Sequence, residues 1–264
     1  MDPTPAATPP AFRLGLLGAG GRMGQAILAV AADRGVVVAG GIGRDGAVIG
    51  PHADVAALAA ACDVLVDFST PAALAGNLAA ACAAGTAIVI GTTGLSAADH
   101  AAIDAAARTI PVLQAANTAL GVNILAWLVE QAATRLGPDW DIEIVEMHHR
   151  HKRDAPSGTA LLLGTAAATG RGAALADLSR CDRAAAGPPP GPSAREDGTI
   201  GFAALRGGSV AGDHQVVFAG DGERIELGHR AESRAIFARG AVRAAGWLAG
   251  RAPGRYAMPD IFAD

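Results

Sequence analysis

Aromatic residues make up only 4% of this 264-residue chain, so aliphatic and small side chains must build its core. Cysteine is scarcer still. Cys62, Cys82 and Cys181 are odd in number and widely spaced, with no CxxC pair and no histidine at ligand spacing. That pattern excludes a disulfide framework, indicates no metal site, and fits a reducing, cytoplasmic compartment. Blocks of lysine and arginine are missing and the net charge is −4, which leaves no electrostatic footprint for nucleic acid or anionic lipid. A small-molecule partner is the expectation. The one long uncharged run, 68–98, is broken by Pro71, Gly76, Asn77, Gly85 and Gly91 and is mostly alanine, so it does not read as a membrane span. Residues 1–11 lack both a basic and an apolar region and read as a disordered lead-in rather than a signal peptide. There are no internal repeats.

What the chain has in quantity is apolar residues, at 51%, and glycine, with 35 residues. Its length suits one large domain or two smaller ones. In the first half, short aliphatic runs alternate with alanine-rich stretches of helical length. Strands are predicted at Arg13–Leu17, Val36–Gly40, Val64–Phe68, Ala87–Ile90 and Val112–Ala115. Between them fall helices over 21–34, 71–84 after Ser69 or Thr70, and 97–108 after Ser96. This alternation predicts an α/β fold with a Rossmann-like, doubly wound parallel sheet. After Ala119 the texture changes to a second, α+β region. It should hold a helix over 121–136, a half-exposed strand at 141–147, a polar loop over 148–156, and an apolar helix capped by Ser157. Strands at Thr199–Arg206, Gln215–Ala219 and Arg224–His229 read as a mixed or antiparallel sheet, and a helix over 232–249 is expected to return to the first region. The Pro-rich stretch 171–198 reads as a long connection, a candidate lid or oligomer arm.

Three segments, and the turn around Arg44, carry chemistry. Gly18-Ala-Gly-Gly-Arg-Met-Gly24 follows the first strand and opens into a helix, a variant of GxGxxG with Met23 where the last glycine would stand. Glycines admit a pyrophosphate to backbone amides, and the helix N-terminus adds partial positive charge. At the end of the second strand, Arg44 stands where it could neutralise a 2′-phosphate and so favours NADPH. Asp45 remains a candidate for the ribose hydroxyls, and a solvated charge pair is the plain alternative. Gly91-Thr-Thr-Gly94 is a second small-residue turn on the same sheet edge. The third segment, Glu146-Met-His-His-Arg-His-Lys-Arg-Asp-Ala-Pro-Ser-Gly-Thr159, places three histidines and three other cations just before a helix. Amides of Ser157, Gly158 and Thr159 would face a carboxylate ligand there. Histidine, and a lysine lowered from ~10.4 by neighbouring cations, can deliver protons at neutral pH. The HExxH spacing is absent and the cations repel a metal ion, so a metal is disfavoured; a solvated basic loop is the other alternative.

GAGGRMG at 18–24, VDFS at 66–69, GTTG at 91–94, GVN at 121–123, the 146–160 string and GTIGF at 198–202 together resemble the 4-hydroxy-tetrahydrodipicolinate (dihydrodipicolinate) reductase family. The resemblance runs from about residue 13 to the C-terminus. It implies a dinucleotide-binding domain at 1–119 with 230–264, and a substrate-binding and tetramerisation domain at 120–229. It implies NADPH or NADH as donor and reduction of a cyclic dicarboxylate, with loss of water, in the diaminopimelate route to lysine. By motif, His148 is the proton donor/acceptor and Lys152 the proton donor, while His149, Gly158 and Thr159 hold substrate carboxylates. Gly18, Ala19, Gly20, Gly21, Arg22 and Met23, with Gly91, Thr92 and Thr93 and with Ala115, Ala116, Asn117 and Thr118, would line the dinucleotide. Two sites depart from the family pattern: Gly43 replaces an acidic residue before Arg44, and Thr118-Ala119 replaces Phe-Ser after Asn117. An aspartate-dehydrogenase-like amino acid or imine reductase, and a nucleotide-sensing protein without catalysis, are the alternative readings.

Overall fold

A computed structural model describes residues 12–182 and 195–263. These divide into two compact units, one up to Leu120 with 235 onward, the other Gly121–Arg234. Among the described residues no helix is long and apolar enough to cross a membrane.

The first unit is built on a seven-stranded sheet. In chain order it comprises β1 (Arg13–Leu17), α1 (Arg22–Asp33), β2 (Val37–Gly43), β3 (Gly46–Ile49), α2 (Val55–Ala61), β4 (Val64–Asp67), α3 (Pro71–Ala84), β5 (Ala87–Ile90), α4 (Ala97–Ala106) and β6 (Pro111–Gln114). From the far end of the chain come α8 (Ala235–Leu248) and β12 (Gly254–Tyr256), followed by a 3₁₀ turn over Met258–Phe262. The strand order β12-β6-β5-β4-β1-β2-β3 is parallel throughout except for β3, which folds back on β2. β3, α2 and β12 are too short or too weakly patterned to read from sequence. The central strands β1, β4, β5 and β6 are buried on both faces, and their alternation sorts side chains between two helical layers. Val64 and Val66 join Ile27 and Val30 of α1 and Ala241 and Ala245 of α8, while Leu65 joins Leu58, Leu74 and Leu78 of α2 and α3. Ser96 caps α4 in a reciprocal box with Asp99, whereas Thr70 makes no side-chain cap on α3, where Pro71 opens the helix.

The second unit contains α5 (Leu120–Leu136, all but its first residue), β7 (Asp141–His148), α6 (Gly158–Gly170), α7 (Leu175–Leu178), β8 (Ser179–Arg180), β9 (Ile200–Arg206), β10 (Asp213–Gly220) and β11 (Glu223–Arg230). Its sheet order is β11-β10-β7-β9-β8. The sheet is mixed: β10 pairs antiparallel with β7 and β11, but β9 runs parallel to β7. Of the stretch read as one long connection, 171–182 contains α7 and β8, and 183–194 lies outside the described residues. Ile142 and Ile144 of β7 are fully buried against Leu125 and Val129 of α5 and Leu163 and Ala167 of α6. The same two-residue period carries Glu146 and His148 onto this buried face, beyond the apolar core.

Candidate active site

Strand order reverses around β1, whose neighbours β2 and β4 lead in opposite directions, and ligands of such sheets bind at the strands' C-terminal ends at this point. Gly18 follows β1 there with φ +78°, and a β-carbon would run into the carbonyl of Phe68 after β4. The amides of Gly18 and Ala19 both donate to Ile42 O, at 2.8 and 3.0 Å, tying the turn to β2. The close approach of α1 to this turn is made by Gly24, where a β-carbon would lie 2.5 Å from Gly18 O and 2.6 Å from Ala19 O. Met23, at the place of the last fingerprint glycine, instead packs on the core. Gly20 is different: it is exposed, and a β-carbon there would meet nothing within 4 Å. Gly21 caps α1 with no side-chain hydrogen bond, and Arg22 is exposed as the first helical residue. A helix start without a side-chain cap, beside an open glycine that the protein does not itself fill, fits a dinucleotide pyrophosphate.

The remaining nucleotide-binding candidates follow the ends of β2, β5 and β6 on the same sheet edge. Arg44 is exposed in the two-residue turn joining β2 to β3. A β-carbon at Gly43 would sit 2.7 Å from Val48 Cγ2, so the hairpin itself disfavours an acidic side chain there. Gly91 packs under the Phe68 ring, and Thr93 is exposed. The hydroxyl of Thr92 donates to the fully buried Asp67 at 3.3 Å, which also accepts from the Ser69 amide at 2.8 Å and Asn77 Nδ2 at 2.9 Å. Asp67 thereby joins the loops after β4 and β5. Ala115 is buried and Ala116 exposed; Asn117 Oδ1 accepts from Ala119 N at 2.9 Å. Thr118, where the family pattern has an aromatic, turns its hydroxyl to Phe237 O of α8 at 2.8 Å.

In the second unit His148, His149, Lys152, Gly158 and Thr159 all lie between the end of β7 and the first turn of α6. The connection turns back through Lys152 N to His149 O and is held to the end of β9 by Gly207 N to His148 O, 2.9 Å. Lys152 Nζ donates to both carboxylate oxygens of Asp154 at 2.8 Å, so a carboxylate stands beside this lysine as well as the neighbouring cations of the sequence. Its bond to Lys152 holds the Asp154 carboxyl below the usual range. Partial desolvation and then the cations Arg234, His148, His151 and Lys152 lower His149. Ser157 caps α6, its hydroxyl accepting from Ala160 N at 3.2 Å, as the sequence predicts. Its amide does not face a ligand: it donates to Glu146 Oε1 at 3.2 Å. Gly158, first in α6, is exposed with open space where a β-carbon would be, and Thr159 is half-buried.

Three further residues carry no role in the sequence reading. Arg206, which β9 sets opposite His148, forms a two-pronged ion pair with Glu146 at 2.8 and 2.8 Å and donates to Asp154 O at 2.7 Å. Glu146 is 1% exposed and also lies 2.6 Å from His148 Nδ1. His214 of β10 stacks edge-on against His148, 5.0 Å between centroids, and its Nε2 lies 3.2 Å from Ser157 Oγ. Burial, then the His148 charge, pushes His214 down to about 4. Period-two alternation through Ile142 and Ile144 signals that Glu146 is buried; the partners from β9 and β10 are 60 and 68 residues further on, and no local pattern points to them.

A parallel sheet with a glycine turn at its switch point, joined to a mixed-sheet unit that gathers histidine, lysine and a helix N-terminus, defines a Rossmann-type NAD(P)H-dependent oxidoreductase. The family models for dihydrodipicolinate reductase match it in both halves, the N-terminus at residues 12–118 and the C-terminus at 121–262. The chain belongs to that family. It is 62% identical over 252 residues to the 4-hydroxy-tetrahydrodipicolinate reductase of Zymomonas mobilis, covering 94% of this chain and 96% of the relative. It is 49% identical to the enzyme of that name from Parvibaculum lavamentivorans, covering 95% and 97%. Among solved structures, a dipicolinate-bound dihydrodipicolinate reductase from Paenisporosarcina sp. TG-14 shares the fold at TM-score 0.76 and 21% identity, over 94% of this chain and 97% of that one.

Proposed function

We propose that this chain reduces 4-hydroxy-tetrahydrodipicolinate to tetrahydrodipicolinate, with loss of water, in the diaminopimelate route to lysine. The supporting observation is the β7–α6 connection, where one short segment presents His148, Lys152 and the start of a helix. A doubly anionic ring requires such a set: cations and backbone amides for its carboxylates, and acids within reach of its reacting atoms. His149, Gly158 and Thr159 hold the carboxylates, with Gly158 contributing its backbone because no side chain obstructs it. The aromatic dicarboxylate bound to the Paenisporosarcina relative is a ligand of this chemical class.

The turn Gly18–Met23, with Gly91–Thr93 and Ala115–Thr118, holds the dinucleotide, whose reduced nicotinamide supplies a hydride when bound. His148 and Lys152 then have the proton work. Lys152 is released from Asp154 as a substrate carboxylate competes for its ammonium, and it acts as proton donor. His148 gives or takes a proton at its ring nitrogen. Arg44 in its exposed turn, with no carboxylate at Gly43, favours NADPH over NADH. Residues 1–119 with 230–264 form the dinucleotide domain, and 120–229 bind substrate and assemble a cytoplasmic homotetramer, as the family resemblance implies. His148→Ala and Lys152→Ala are expected to lower substrate-dependent decay of nicotinamide absorbance by at least ~100-fold each, the span of general acid–base catalysis. Retention of wild-type turnover in either variant refutes that residue's role.

A further inference from the structure

The side-chain network behind His148 has no part in the reading above, and its geometry is more specific than a loop anchor requires. Glu146 is two residues before His148 on the same face of β7, and its carboxylate is 1% exposed. Three donors and the imidazole of His148 converge on its two oxygens. Oε2 takes Arg206 Nη1 at 2.8 Å and faces His148 Nδ1 at 2.6 Å; Oε1 takes Arg206 Nη2 at 2.8 Å and the Ser157 amide at 3.2 Å. On the other side of the imidazole, Gly212 lies close to Nε2, and a β-carbon there would come within 2.9 Å of it.

We propose that Glu146 is the positioning residue that confines the exchangeable proton of His148 to Nε2, with Arg206 holding the carboxylate in place and Gly212 keeping the space before Nε2 open. An ionised carboxylate only accepts hydrogen bonds, so Nδ1 must carry a hydrogen in both charge states of the ring. Nε2 is then the atom that gains and loses the proton. Burial alone would raise Glu146, but the bonds from Arg206 and then His148 outweigh it and hold the carboxyl below its ordinary value. Of the other titratable groups, His214 meets the imidazole edge-on from β10, His149 is next in the chain and is lowered partly by His148, and Lys152, paired with Asp154, lies in the following loop. Arg206 also donates to the Asp154 carbonyl, so one guanidinium aligns the histidine and the loop that carries Lys152.

The inference rests on the reading of His148 as a proton donor, and the tests of the two are separable. ¹⁵N spectra of histidine-labelled protein, assigned by difference with His148→Ala, are expected to show neutral His148 protonated at Nδ1. A wild-type spectrum with the hydrogen on Nε2 overturns the proposal, whether or not any variant folds. In Glu146→Gln, the amide oxygen best satisfies Arg206 Nη2 and the Ser157 amide, which leaves an amide NH₂ facing Nδ1. The neutral ring should therefore switch to Nε2–H, and kcat should fall ~10–100-fold, the usual effect of removing an orienting partner, with KM changed less than ~3-fold. Glu146→Asp, which keeps the charge, is expected to retain the wild-type tautomer and recover part of kcat. A folded Glu146→Gln protein with wild-type kcat refutes Glu146's role, whereas undiminished turnover in His148→Ala refutes the proton-donor reading beneath it.

Discussion

Two glycines of one turn should respond in opposite ways to the same added methyl group. Gly24 sits in the first turn of α1 against the backbone of Gly18 and Ala19, and the β-carbon of Gly24→Ala would lie 2.5 Å from Gly18 O. That is about 0.5 Å inside the 3.0 Å below which real β-carbons are essentially never found, and both partners are backbone, so no flexible side chain can yield. The helix must back away, at the ~1–3 kcal/mol typical of overpacking. In a domain of this size that lowers Tm by about 2–12 °C without any ligand. Gly20 has neither a positive φ nor any protein atom within 4 Å of its β-carbon position. Gly20→Ala should leave Tm unchanged or raise it, since a compatible Gly→Ala change stabilises by ~0.4–1 kcal/mol through the unfolded chain. Its cost falls on the ligand. With the dinucleotide at this turn, as proposed, a methyl there removes roughly one charge-assisted amide contact, worth ~1.5–3 kcal/mol, or about a 10–100-fold weaker Kd for NADPH. Thermal unfolding of the ligand-free proteins and calorimetric titration with NADPH separate the two effects. An unchanged Kd in Gly20→Ala would remove the physical ground for placing a dinucleotide at this turn, and an unchanged Tm in Gly24→Ala would show that the helix contact is not close.

Two more outcomes follow from named groups. Arg44→Ala should reduce the ratio of kcat/KM for NADPH over NADH by ~10–100-fold, the worth of a hydrogen bond to a charged group; equal KM values for the two cofactors in the native enzyme would contradict the preference. His214, pushed by burial from 6.5 to about 4, binds fewer protons folded than unfolded between those values, so its contribution is complete above pH 6.5 and is lost as pH falls towards 4. The loss is up to about 3 kcal/mol. Denaturant unfolding across that range should show a shallower decline for His214→Asn than for the native chain, and parallel curves would refute the buried neutral imidazole.

Much of the first unit was legible because its signals are local. A parallel strand buried on both faces is a short aliphatic run, a helix start is a cap such as Ser96, and a nucleotide turn is a glycine string, all readable within about a dozen neighbouring residues. The same holds for the cluster 146–159, where charge, histidine and the Ser157 cap are contiguous. The hairpin partner β3 and the edge strand β12 escaped because they lie at the sheet's two edges, where a short strand such as Gly254-Arg-Tyr need not be an aliphatic run and so does not stand out from loop. In the active site the alternation through Ile142 and Ile144 already places Glu146 inward, yet the residue that makes an inward carboxylate tolerable, Arg206, lies on β9. Whether β9 runs parallel or antiparallel to β7 is decided by how the chain crosses between them, and only the parallel register sets Arg206 opposite His148. Sequence alone thus marked out the segments proposed to bind and the residue types able to move protons. The pairing of distant strands decided what orients them, because burying a charge requires a partner whose position is set by the sheet and not by the neighbouring residues.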